Sequence, residues 1–207
     1  MMFEIDFIFR WIHLMSGITW IGMLYYFNFV QGGYFKSATP EALADAKTKL
    51  APNALWWFRW GAMFTFFSGL YLFKTLGATV GANDFIMLGA LMGTLMFLNV
   101  WIIIWPAQRI ALGMKEGDGP KAAARALLAS RTNTLFSGPM AYFMLASAHK
   151  KASATGVDTG LLIGIAIVAL LEINAIVGKQ GPLTTVKGVI FSSIALTAIL
   201  SLILHYI

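Results

Sequence analysis

The sequence predicts an all-α fold, a polytopic membrane helix bundle of about six transmembrane helices with both termini periplasmic, and three observations predict it. Apolar residues are 58% of the 207 and charged residues 12%, with a mean hydropathy of +0.74, whereas soluble domains hold about 45–50% and about 25%. Six apolar runs, 7–30, 54–76, 85–105, 133–149, 160–178 and 184–206, approach or exceed the roughly 20 residues that cross a hydrocarbon core. Basic residues then separate by side. Lys36, Lys47 and Lys49 in the first loop, Arg109, Lys115, Lys121, Arg125 and Arg131 in the third, and Lys179 and Lys187 in the fifth outweigh Arg10, Lys74, Lys150 and Lys151. The richer side is expected to be cytoplasmic. Residues 1–207 form a single integral membrane domain in this reading.

The first run opens on Met1-Met2-Phe3-Glu4-Ile5-Asp6, acidic and without a small-residue cleavage site, so a retained helix is expected rather than a signal peptide. Thr39-Pro40-Glu41 has the order of a helix start, and the amphipathic stretch after it is expected on the cytoplasmic surface until Pro52-Asn53 caps the second run. Gly117-Asp118-Gly119-Pro120 is a turn cluster ahead of a second, basic strut running towards Arg131. Trp56, Trp57, Trp60, Trp101 and Trp105 gather at the cytoplasmic ends of the second and third spans, as belt residues do, which makes those spans neighbours. Small-residue stripes, Gly61-x3-Thr65-x3-Gly69, Gly89-x3-Gly93 and Gly160-x3-Gly164, provide close packing faces. The sixth run is a peripheral helix facing lipid.

The net charge of +6 is a topology signal plus attraction to anionic lipid, and carries no nucleic-acid signature. Cysteine is absent, which excludes disulfides, thiolate metal sites and covalent c-type haem. Histidine and methionine remain as soft or borderline ligands.

Polar residues within spans are expensive unless paired or facing a cavity. On the cytoplasmic half, Arg59 and Glu172 are expected at similar depth, with Asn28, Asn99, Asn133 and Asn174 near them. Two readings stand: an Arg59–Glu172 clamp between the second and fifth spans, or a polar pocket in which Arg59, Glu172, Asn99 and Asn133 are the candidate catalytic residues. On the outer half, His13, Gly17, Trp20, Leu24, Asn28 and Gln31 share one helical face, and Gly138, Tyr142, Ala146 and His149 share another. Two inward imidazoles at one depth suit axial ligation of haem b iron by His13 and His149, with Gly17 admitting the porphyrin and Arg10 and Lys150 meeting its propionates. The alternative is that both histidines are packing residues. His205 is a chain-end residue.

Four ordered blocks resemble the membrane domain of the cytochrome-linked urate oxidase (urate hydroxylase) family. They are Arg10-Trp11-x-His13-x3-Gly17-x2-Trp20-x-Gly22; Trp57-Phe58-Arg59-Trp60-x4-Thr65-x2-Ser68-Gly69; Asn99-Val100-x5-Pro106-x-Gln108-Arg109; and Arg131-x-Asn133, followed by Pro139 and Ser147-x-His149. The resemblance covers residues 10–150, and the last two spans match only in being apolar. It implies a membrane redox protein of the bacterial inner (cytoplasmic) membrane that passes electrons to a periplasmic c-type cytochrome. It directs attention to His13, Arg59, Asn99, Gln108, Arg109, Asn133 and His149. Family members usually carry a longer membrane domain and a fused cytochrome c, so the acceptor here is expected to be a separate protein. Thr132 stands where the family commonly has histidine, which puts urate as substrate in question. A histidine near the start of the first span, followed by Gly and Trp, is also distantly similar to the haem-using membrane protoporphyrinogen oxidases.

Two functions follow: a haem-b redox protein, or a non-catalytic accessory subunit of a larger respiratory or photosynthetic membrane complex. A transporter is disfavoured, since no inverted repeat is present and Pro139 alone does not break a helix.

Overall fold

The structure, a computed structural model, describes residues 2–79, 81–149 and 158–207. It is helical, with no strand among the described residues. The helices are α1 (Met2–Tyr25), α2 (Gly32–Ser37), α3 (Pro40–Asp45), α4 (Ala51–Thr79), α5 (Asp84–Leu98), α6 (Trp105–Ala111), α7 (Gly119–Ser147), α8 (Thr159–Val177) and α9 (Val186–Tyr206). Three wide, π-helical turns, Tyr26–Gln31, Ala46–Leu50 and Asn99–Ile104, join α1 to α2, α3 to α4 and α5 to α6 without a break. Among the described residues, four stretches are long and apolar enough to cross a membrane: Glu4–Ser37, Asp84–Ala111, Thr159–Val177 and Val186–Tyr206. Helices α4 and α7 are 29 residues each but interrupt their apolar surface, α4 with Arg59, Lys74 and its tryptophans, α7 with Arg131-Thr132-Asn133-Thr134.

The chain packs as two units, Met1–Gly69 with Phe97–Ser130, and Leu70–Met96 with Arg131–Ile207. In the first, α1 lies on α4 through the predicted small-residue stripe. A Cβ on Gly61 would meet Trp20 N at 3.1 Å and Ser16 O at 3.3 Å, so main chain touches main chain there. The face of α1 expected to point inward does so: Trp20, Leu24 and Asn28 are buried, while Trp11, Leu14, Met15 and Ile18 on the other side are exposed. The tryptophan belt also brings its helices together, with Trp60 edge-on to Trp101 at 5.8 Å and Phe66 stacked on Phe97 at 4.1 Å.

Two expectations about the struts are corrected. Thr39 does cap α3, its hydroxyl accepting from Ala42 N, but Pro52 caps nothing: the helix runs through it. Proline lacks an N–H and crowds the carbonyl four residues back, and the wide turn immediately ahead, Ala46–Leu50, is where that register is relaxed. The basic stretch after Gly117 is likewise no separate strut. It is the first third of α7, begun by Asp118 accepting from Lys121 N (3.0 Å), and its Ala122 and Ala126 bury against Ala107 and Ile110 of α6.

In the second unit, Gly89 and Gly93 receive Met140 and Met144 of α7, the nearest approaches to added Cβ atoms being 3.1 and 3.4 Å. Gly160 meets the Ile203 carbonyl of α9, and Gly164 meets Leu88 of α5. Asn83 both caps α5, accepting from Ile86 N, and donates to the Ser147 carbonyl at the end of α7 (2.9 Å). The expected peripheral character of the last run holds for α9, which buries Val189, Ser193, Leu196 and Leu200 and exposes Phe191, Ile194, Ile199 and Leu202.

Candidate functional site

The first unit builds an imidazole site from α1 and α4. His13 Nδ1 is 2.8 Å from the Thr65 carbonyl and 3.2 Å from Ser68 Oγ. A carbonyl only accepts, so Nδ1 carries the proton, and in the neutral ring Nε2 keeps its lone pair. The carbonyl holds the ring at a fixed angle, as the outer partner of a metal-bound histidine does. Ser68 Oγ donates to Phe64 O (2.6 Å), and the Thr65 hydroxyl lies 2.7 Å from Gly61 O and 3.0 Å from Ser16 Oγ. These bonds, within α4 and from Thr65 to Ser16 of α1, fix the groups that face His13. Gly69 leaves room for the ring: a Cβ there would lie 2.9 Å from His13 Cε1. At Gly17, expected to admit a porphyrin, an added Cβ would meet Thr65 Cγ2 at an ordinary 3.8 Å.

The other proposed haem residues stand as follows. Arg10 is exposed, its Nε bonded to Asp6 Oδ2 at 2.6 Å one turn earlier. His149, in the second unit, is exposed just beyond the last turn of α7, its N–H donating to Ala146 O. Upstream on that face, Gly138 lies against Ser193 and Thr197 of α9, and Tyr142 OH meets Ser201 Oγ at 3.2 Å. Lys150 lies outside the described residues. No group of three or more His, Cys, Asp or Glu able to hold a metal ion occurs among the described residues. Haem needs only axial ligands, since the macrocycle supplies its own nitrogens. His13 fits that demand through Nε2.

Of the residues expected in the cytoplasmic polar tier, Asn28, Arg59 and Asn99 lie in the first unit and Asn133, Glu172 and Asn174 in the second. Asn28, in the first wide turn, is buried; its Nδ2 donates to Leu24 O (2.9 Å) and Ser130 Oγ (2.8 Å), while Oδ1 has no hydrogen-bond partner among the described residues. Asn99 opens the third wide turn and is buried. Asn133, in the second unit, is fully buried and donates to Met96 O at 2.9 Å. Asn174 is not in such a network: it closes the C-terminus of α8, exchanging hydrogen bonds with Lys179 N and O. Glu172 is half-buried on α8. Arg59 lies over the Trp105 ring, 3.8 Å from its centroid, and Arg109 is 5.9 Å from the same ring. Gln108 beside it is half-buried.

Sequence reasoning missed three things. Trp105 was a belt residue and is a cation platform. Thr65 and Ser68 stood in a quoted block without a partner, although a hydroxyl pair three residues apart is a signal for one polar face. Arg131 was counted as a loop charge, yet it is buried, with Nε and Nη1 lacking hydrogen-bond partners among the described residues.

No curated protein and no solved structure matches the chain. A family model described as urate oxidase N-terminal matches residues 77–203, more than half of the chain. The match takes in α8 and α9, which the motif comparison had left aside, and begins after the His13 and Arg59 blocks. With that span aligned, the chain belongs to the urate oxidase N-terminal family.

Proposed function

We propose that this chain is a redox protein of the bacterial inner membrane, with six spans and both termini periplasmic, which binds haem b and passes electrons to a separate periplasmic c-type cytochrome. The observation that carries the reading is the His13 imidazole, tethered through Nδ1 to the Thr65 carbonyl with Nε2 left for iron. In this proposal His149 would be the second residue to hold the haem, and Arg10 and Lys150 would meet its propionates. A bound haem supplies one-electron chemistry at that site. The protein's own groups orient the ring, through Thr65, and give it space, through Gly69. Family membership supports a urate-oxidase-like assignment. In this proposal α4 and α7, each about 43 Å long at 1.5 Å per residue, are the second and fourth spans.

Absorption spectroscopy of the purified protein tests this. A Soret band with reducible α and β bands is expected, lost in His13→Ala and in His149→Ala. A colourless, folded preparation overturns the haem assignment and leaves the accessory-subunit reading. Urate-dependent reduction of added cytochrome c then separates an oxidase from a relay. Topology is tested directly because the chain has no cysteine: a cysteine at Lys47 is expected to label only from the cytoplasm, and one at His205 only from the periplasm.

A further inference from the structure

Arg59 lies on α4 about 9 Å from Thr65 along the helix axis, outside the imidazole site. Its guanidinium and that of Arg109 share the Trp105 ring, at 3.8 and 5.9 Å from the centroid. Their carbon centres are therefore no more than about 10 Å apart, close enough for like charges to repel in a partly desolvated setting. The next residue, Trp60, packs edge-on against Trp101, so the two tryptophans flanking the end of the wide turn both face consecutive residues of α4. Stacking occupies the face of a guanidinium and leaves its N–H edge available. Arg59 Nε and Trp101 Nε1 are both buried without a hydrogen-bond partner among the described residues. Among the described residues, the ion pairs Arg10–Asp6 and Lys49–Asp45 involve neither arginine. The half-buried Arg59, the exposed Arg109 and an indole N–H without an acceptor among the described residues are donors of the kind an oxyanion takes.

The setting narrows the anion. Trp56 and Trp57, one turn or less from Arg59, expose their rings (45% and 58%), as headgroup-layer residues do. We infer that Arg59, Arg109 and Trp101 bind a phosphate group, supplied in the membrane by an anionic phospholipid of the cytoplasmic leaflet. The inference rests on α4 being a membrane span and is independent of haem.

Native mass spectrometry and thermal unfolding of the detergent-purified full chain test it, with phosphatidylglycerol, phosphatidylcholine or inorganic phosphate added separately. Phosphatidylglycerol is expected to give a retained one-to-one adduct and the largest rise in unfolding temperature. Arg59→Gln with Arg109→Gln is expected to weaken retention about tenfold or more, the worth of a charge-assisted bond. Trp101→Phe keeps the ring and deletes only the donor, so it serves if the double variant does not fold; several-fold weaker retention is expected. Equal retention of phosphatidylcholine, protection by inorganic phosphate alone matching that of phosphatidylglycerol, or retention unchanged in Trp101→Phe and the arginine variant overturns the assignment.

Discussion

Replacing Gly69 with alanine places a methyl carbon 2.9 Å from His13 Cε1 and 3.3 Å from Nδ1. Comfortable carbon contacts begin near about 3.5 Å, so the ring has to shift by about 0.5–1 Å. The atom nearest the methyl neighbours the one that donates to Thr65 O at 2.8 Å, and the shift stretches or breaks that bond. A net hydrogen bond is worth about 0.5–1.5 kcal/mol. Alanine in a helix interior returns up to about 1 kcal/mol over glycine. The two nearly cancel, so global stability should change by less than about 1 kcal/mol while the imidazole is reoriented. Gly22→Ala is the control: it lies inside α1 with nothing within 4 Å of its added Cβ, and should show the propensity gain alone. The difference between the two variants then isolates the ring contact, at about 1 kcal/mol of relative destabilisation for Gly69→Ala. The assay pairs reversible denaturation in mixed micelles with nitrogen NMR of labelled histidine, where His13 should show a protonated Nδ1 in the parent and a mixture of tautomers in the variant. A Gly69→Ala protein as stable as Gly22→Ala, with its His13 signals unmoved, would refute the site geometry.

Asn133→Leu should lower stability by about 1–3 kcal/mol in denaturation midpoints, because the buried Met96 carbonyl loses its side-chain donor and cannot reach water. Gly61→Val should prevent α1 from seating, since main-chain atoms of Trp20 and Ser16 stand 3.1–3.3 Å from an added Cβ, whereas Gly17→Ala, whose Cβ meets Thr65 at an ordinary 3.8 Å, should purify normally; size-exclusion profiles compare them. Arg59→Lys should cost fluorescence quenching and stability at Trp105 despite keeping its charge, because an ammonium does not stack as a plane; an unchanged tryptophan spectrum would count against the contact.

Much of the architecture was legible because lipid imposes few rules. The buried face of α1 followed from a spacing of three and four residues, and the Trp60–Trp101 contact from where belt residues cluster. The stripe through Gly61 and Gly69 marked a packing face, but which of its glycines met main chain and which met His13 depends on helix rotation, and a motif does not encode that. The boundaries failed where charge was taken as a sign of loop. Lys121 and Arg125 are exposed on the same α7 that buries Arg131, since a helix presents different surroundings every third or fourth residue. Pro52 misled for a related reason: its usual meaning assumes a regular α-helix ahead of it. His13 was singled out from its position in a span, yet its partner is a main-chain carbonyl, which no sequence pattern can point to.

The first two wide turns have an asparagine at or beside them donating to a main-chain carbonyl: Asn28 to Leu24 and Asn53 to Lys49. An α-helix advances about 100° per residue, so a turn that holds one extra residue acts as a phase shifter for everything after it. In the third turn the phase sets which way Trp105 and Arg109 point. Deleting one residue from Asn99–Ile104 would restore a regular helix and swing both side chains by about 100°.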